Sequence, residues 1–155
     1  MTASVPESDA ALLEPLSELG CQTTHSNLAA IEGSEVVVLG VKPHVVPVVA
    51  AGLKDRGSGQ LLVSVAAGLD TARLGEMFGS EWRHVRAMPN TAVTVGEGAT
   101  VYCLGPGADS KDSDLVISLF SSVGLCRRVE ESQIGEGREV VRTVLADHSD
   151  SVKTR

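Results

Sequence analysis

Glu35-Val36-Val37-Val38-Leu39-Gly40-Val41 decides how the rest of the sequence is read. It is β-branched and apolar with no polar alternation, and such runs belong to strands covered on both faces, as in a parallel sheet. Lys42-Pro43 ends it, and Val45 to Leu53 reads as a helix. The pattern then repeats. Leu61 to Ala66 is a second apolar strand closed by Ala67-Gly68, and Asp70 caps a short helix over Thr71 to Met77. His84 to Met88 is a third strand, stopped by Pro89-Asn90. Strands alternating with helices at this spacing predict βαβ units and an α/β fold with a mostly parallel sheet and flanking helices.

Upstream, Ser8 to Leu19 has helical spacing at Ala11, Leu12, Leu16 and Leu19, with Gly20 placed to end it. Pro15 interrupts that helix, so a kink or a restart at Pro15 is expected. Cys21 to Thr24 reads as a short strand, and His25-Ser26-Asn27 supplies a cap for a turn through Ala30. Downstream, Thr100 to Leu104 reads as an edge strand. Asp109 or Ser110 caps a helix to about Val123, with Leu115, Val116, Leu119 and Phe120 facing inward, and Leu125 to Val129 is a last strand. From Gly135 to Arg155 the composition turns polar, with one amphipathic segment over Arg138 to Ala146 that is marginal as an isolated helix.

Composition narrows the function. The chain has 155 residues, 43% hydrophobic and 21% charged, with a net charge of −7. That balance suits one globular domain and disfavours a polyanion-binding surface, so no nucleic-acid partner is expected. No apolar run approaches the ~20 residues that span a bilayer, so no membrane partner is expected. Aromatic residues are 3% of the chain, too few for base-stacking platforms. The three cysteines lack CxxC spacing and the four histidines lack metal spacing. No disulfide framework, metal site or catalytic constellation is therefore assigned. The first residues have neither a basic, apolar leader nor an Arg-rich presequence, and a cytoplasmic location is expected.

In an open parallel sheet, ligands bind beyond the carboxyl ends of the strands. Three such ends, Gly40-Val41-Lys42-Pro43, Val65-Ala66-Ala67-Gly68 and Met88-Pro89-Asn90-Thr91, place small or rigid residues where a strand stops. Small side chains let a flat ligand approach the backbone, although turns at these places also need such residues. Lys42 can meet a phosphate or ribose, or simply reach solvent. Asn90 suits either an orienting amide or a local turn, and Asn27 is most simply a helix cap. None of the GxG strings (Gly57-Ser58-Gly59, Gly96-Glu97-Gly98, Gly105-Pro106-Gly107) follows a strand and opens a helix as a phosphate loop does.

Val85-Arg-Ala-Met-Pro-Asn-Thr-Ala-Val-Thr-Val-Gly-Glu-Gly-Ala-Thr-Val-Tyr102 resembles the MPNTP-x-x-V-x-E-G-A-T segment of the pyrroline-5-carboxylate reductases. Val41-Lys42-Pro43, Ser64 to Gly68 and Ser121 to Gly124 match further signatures of that family in the same order, so the similarity runs from about Ala3 to Ile134. Ala92 stands where the family usually has Pro. The resemblance implies reduction of 1-pyrroline-5-carboxylate to L-proline with NADPH or NADH. It also implies a Rossmann-like domain in which Asn27, Gly40, Val41, Lys42, Pro43, Val65, Ala66 and Ala67 line the dinucleotide and Asn90 lies near the nicotinamide.

The same resemblance implies two absences: the glycine-rich turn on the first strand, and the helical domain that dimerises and builds the substrate site. On that basis residues 1–134 are an incomplete Rossmann-like domain and 135–155 an unrelated tail, as a truncated isoform would give. The chain alone is then expected to transfer no hydride. Its first long strand should be left unpaired on one side, open to exchange into or pairing with the full-length enzyme. Another dinucleotide dehydrogenase of the same architecture is the remaining alternative. Choice between NADPH and NADH would rest on Ser4, able to hydrogen-bond a 2′-phosphate, and Glu7, which would repel one.

Overall fold

The computed structural model describes residues 1–134; the expectations for 135–155 lie outside the described residues. Strands β1 (Thr2–Ser4) and β2 (Gln22–Thr24) pair in parallel as a small separate sheet. The main sheet has the order β3 (Val36–Leu39), β4 (Leu61–Ser64), β5 (Arg83–Pro89), β6 (Gly98–Leu104), β7 (Gly124–Arg128). Its pairings are parallel except β5 with β6. The architecture is a mostly parallel α/β fold with flanking helices, as the strand–helix alternation predicts, and is Rossmann-like, as the resemblance implies. β3 is an outer edge of its sheet, also as expected.

The runs lack polar alternation because both faces are covered. β4 is buried along its whole length. Leu62 points into one core with Leu39, Leu74, Phe78 and Trp82, under α2 (Asn27–Ile31), α3 (Val46–Leu53) and α4 (Thr71–Phe78). Leu61 and Val63 point to the opposite face, where Val85, Ala87 and Tyr102 meet Val116 of α5 (Ser110–Ser121). Cover ends at the sheet edge: Val38 is 53% exposed although it lies within an all-apolar strand.

Several local expectations need correction. Ser8 to Leu19 is not one helix: a 3-10 segment (Glu7–Leu12) precedes α1 (Glu14–Glu18), which carries Pro15 in its first turn, where no intrahelical N–H is needed. Leu13, between the two segments, is buried, while Leu12 and Leu19 are exposed. β6 is not an edge strand, since β7 pairs beyond it and β6 is almost wholly buried. In α5, Leu115 and Leu119 face solvent rather than the core. Asp109 and Asp112 form a reciprocal capping box, and Asp112 and Ser113 are turned inward to meet Arg83 and Tyr102. Those polar anchors set the rotation of α5, so only Val116 and Phe120 reach the core.

Candidate functional site

β3, β4 and β5 run in parallel, so the loops that follow them leave the same end of the sheet. Leu39, Ser64 and Arg86 share one level of the register. Gly40 and Val65 therefore begin their loops side by side. Asn90 stands four residues further along its strand, about 13 Å at 3.3 Å per residue. The rim is stepped, with two low corners and one high wall.

The low corners are open. A Cβ built on Gly40 meets nothing within 4 Å, and Ala67 and Gly68 are exposed. Val41 and Ala66 pack into the core beneath, and Val65 turns to the opposite face, which fixes the loop stems. Two further bonds hold them: Val65 N–H donates to the Leu39 carbonyl at 3.2 Å, and Ala66 N–H donates to Ser64 Oγ at 3.3 Å. Gly68, with φ +78°, makes the left-handed turn that returns the chain towards α4. Lys42 is exposed, and its carbonyl accepts from Val45 N–H in the 3-10 turn begun by Pro43.

Asn90 is tied down on both sides. Its N–H donates to the Ala99 carbonyl at 3.1 Å, and its Oδ1 accepts from Ala99 N–H at 3.0 Å. The acceptor of the amide is thus engaged with β6, and what it could offer a ligand is its NH2. Asn27 is not a helix cap: Ser26 caps α2 by accepting from Ala29 N–H, and Asn27 is the first helical residue. Its Oδ1 instead accepts from Ser4 Oγ at 2.9 Å, joining the carboxyl ends of β1 and β2. Sequence spacing held no sign of this pair, since it depends on the parallel register of two short strands.

A second polar cluster lies under the rim. Glu131, at the start of α6 (Glu131–Ile134), accepts from Thr71 N–H at 3.1 Å, from Arg86 Nη1 at 2.6 Å and from the Cys103 thiol at 3.2 Å. Desolvation pushes its carboxyl up, but the hydrogen bonds from Thr71, Arg86 and Cys103 outweigh that and hold it below the usual carboxylate value. Burial first, then Glu131, pushes the Cys103 thiol up to about 12, so it stays a protonated donor. Sequence reading missed this cluster because its members come from four elements. Among the described residues, no group of acidic, His and Cys side chains could hold a metal ion, and no helix is long and apolar enough to cross a membrane.

A dinucleotide fits these corners better than a metal does: small residues expose backbone at the sheet's carboxyl end, with Lys42 beside them and the Asn90 NH2 on the high wall. Residues 2–68 match the family described as NADP oxidoreductase, coenzyme F420-dependent. The chain is 38% identical over 136 residues to pyrroline-5-carboxylate reductase 2 of Pongo abelii, covering 85% of this chain and 42% of that protein. It is 36% identical over 117 residues to pyrroline-5-carboxylate reductase 3 of Macaca fascicularis, 75% of this chain and 43% of the other. The fold superposes on a pyrroline-5-carboxylate reductase from Coxiella burnetii with TM-score 0.78 and 29% identity, over 99% of this chain and 60% of that one. A Plasmodium falciparum pyrroline carboxylate reductase with NADP bound gives TM-score 0.71 and 30% identity, over 87% and 55%. The chain thus spans less than half the length of the curated relatives it matches.

Proposed function

We propose that this chain, which belongs by sequence and fold to the pyrroline-5-carboxylate reductases, uses its rim to bind NADPH or NADH for reduction of 1-pyrroline-5-carboxylate to L-proline. The observation that carries the reading is the stepped rim after three parallel strands, with two open corners and Lys42 on one of them. Asn27, Gly40 to Pro43 and Val65 to Ala67 would hold the dinucleotide, and Asn90 would border the nicotinamide. The cofactor supplies the hydride. The residues of this chain contribute binding and orientation: exposed backbone at Gly40 and Ala67, charge from Lys42, an amide donor from Asn90. None of them is assigned a proton-transfer role.

Substrate closure and homo-oligomer formation belong, in this reading, to parts of the family beyond the matched stretch. A cytoplasmic location goes with the reading, supported by Cys21, Cys103 and Cys126 being free thiols. Titrating the purified chain with NADPH, followed by nicotinamide fluorescence, tests the binding claim. Saturable enhancement is expected, and none at millimolar cofactor would overturn it. NADPH oxidation with pyrroline-5-carboxylate is expected to be absent for this chain alone, and turnover would refute that part.

A second reading has its own observation. Among the described residues β3 is an unpaired sheet edge with a half-exposed Val38, and such an edge is a template for strand addition. The chain would then associate with the full-length reductase without catalysing. Co-purification of the two is the expected result; a monomer that ignores the reductase would count against it.

A further inference from the structure

We propose that Glu131 is a positioning residue that sets two corners of the crevice together: the Ala66–Asp70 loop through Thr71 and the Asn90 loop through Arg86. The inference rests on the cofactor reading above only for what the corners bind. Thr71 is the first residue of α4, and its N–H is one of the donors a helix leaves unpaired at its start. Asp70, the side-chain cap, takes the Arg73 N–H at 2.8 Å instead. Glu131 Oε2 therefore supplies what Thr71 lacks, from a helix sixty residues away in sequence.

The other oxygen, Oε1, accepts from Arg86 on β5, whose guanidinium is nearly buried and whose strand runs straight into Pro89 and Asn90. One carboxylate thus spans the end of the β4 loop and the stem of the β5 loop. Cys103 of β6, donating to Oε2, holds it in register with the strand that also pins Asn90. Ile134, fully buried against Val101 and Cys103, keeps α6 docked so that Glu131 cannot swing out. Shifting the carboxylate would move both corners together, and a ligand lying across them would feel the change as a misfit at two points.

Residue-resolved amide exchange and NADPH titration of the whole chain test this. Glu131→Gln, which loses the charge and keeps one acceptor oxygen where Thr71 and Arg86 use two, should speed exchange at Thr71 and across 66–70 and 88–92 while β4 stays protected. It should weaken NADPH binding roughly fivefold. Arg86→Lys is the milder variant should the first not fold; it should loosen 88–92 and leave the Thr71 amide unchanged. Unaltered exchange at both corners in either folded variant, or a uniform rise over all strands, would overturn the proposal. If the unmodified chain binds no NADPH, the cofactor reading fails, while exchange still decides the coupling of the corners.

Discussion

Asp112, in the first turn of α5, is fully buried and pairs with Arg83 at the start of β5, while its second oxygen accepts the N–H of Asp109 at 3.0 Å. One carboxylate therefore closes a capping box and fastens a helix to the sheet. Arg83 also donates to the Gly59 carbonyl at 2.8 Å, which extends the tie to the loop before β4. Asp112→Ala removes the cap bond and strands the arginine, which is partly exposed and can rehydrate. The expected loss is about 2 kcal/mol, read as a lower urea midpoint at unchanged slope.

Acid should destabilise the fold through two groups. Burial holds His84 below its ordinary value, against a smaller opposing effect from its bond to the Pro106 carbonyl. With Nδ1–H donating to that carbonyl at 3.3 Å, the neutral ring leaves Nε2 buried and without a partner among the described residues; protonation would add a donor there that none of them accepts. The unfolded chain then takes up the proton first, so this stability is present above pH ~6.5 and lost as pH falls below it. Glu131 adds a second loss further down, present above ~4.5 and removed as its carboxyl protonates, and small because a third of the side chain faces water. Urea midpoints taken from pH 7.5 to 4 should decline in that order, and His84→Gln should flatten the upper part.

Gly124 opens β7 at φ +142°, and a Cβ there would overlap the backbone of Gly98 on the neighbouring strand. Gly98 is equally confined, by Val93 and by the Val123 carbonyl that accepts its N–H at 2.9 Å. The two glycines let β6 and β7 start together. Gly124→Ala combines a strained backbone with a clash against main chain that cannot swing away. It should cost about 3 kcal/mol or more, seen as loss of soluble protein or a sharply lower melting temperature, whereas Gly33→Ala meets open space and carries only the left-handed strain.

What the sequence disclosed here was mostly local. Apolar runs announced β3 and β4, because burial on both faces leaves no polar alternation, and the repeat of strand, helix and Pro89-Asn90 stop announced β5, and with it the shared end of the sheet. Asp70, Asp109 and Gly20 marked helix ends through bonds made within a few residues. Long-range pairings escaped it. Leu115 and Leu119 have the spacing of a buried stripe, yet Asp112 and Ser113 win the inward side through Arg83 and the 2.6 Å bond to Tyr102. Asn27 has the chemistry of a cap, yet Ser26 reaches the Ala29 N–H and frees Asn27 for Ser4. Glu131 is one acidic residue among many until the fold brings Thr71, Arg86 and Cys103 to it.

Lys42 offers the sharpest test of where the anionic part of a dinucleotide would rest. It is exposed, makes no ion pair among the described residues, and leaves β3 beside the open Gly40 corner. An exposed lysine facing a phosphate contributes about 1 kcal/mol at low ionic strength, screened as the Debye length shrinks to ~3 Å at 1 M salt. Lys42→Ala should therefore weaken NADPH binding about fivefold in dilute buffer and hardly at all in molar salt. Lys54 is the matched control: α3 runs back from the Pro43 turn, so its last turn delivers Lys54 to the opposite end of the sheet, near the start of β4. Lys54→Ala removes the same charge from the molecule without touching the rim. If both variants lose affinity equally, the net charge of the protein is responsible and Lys42 has no seat at the crevice.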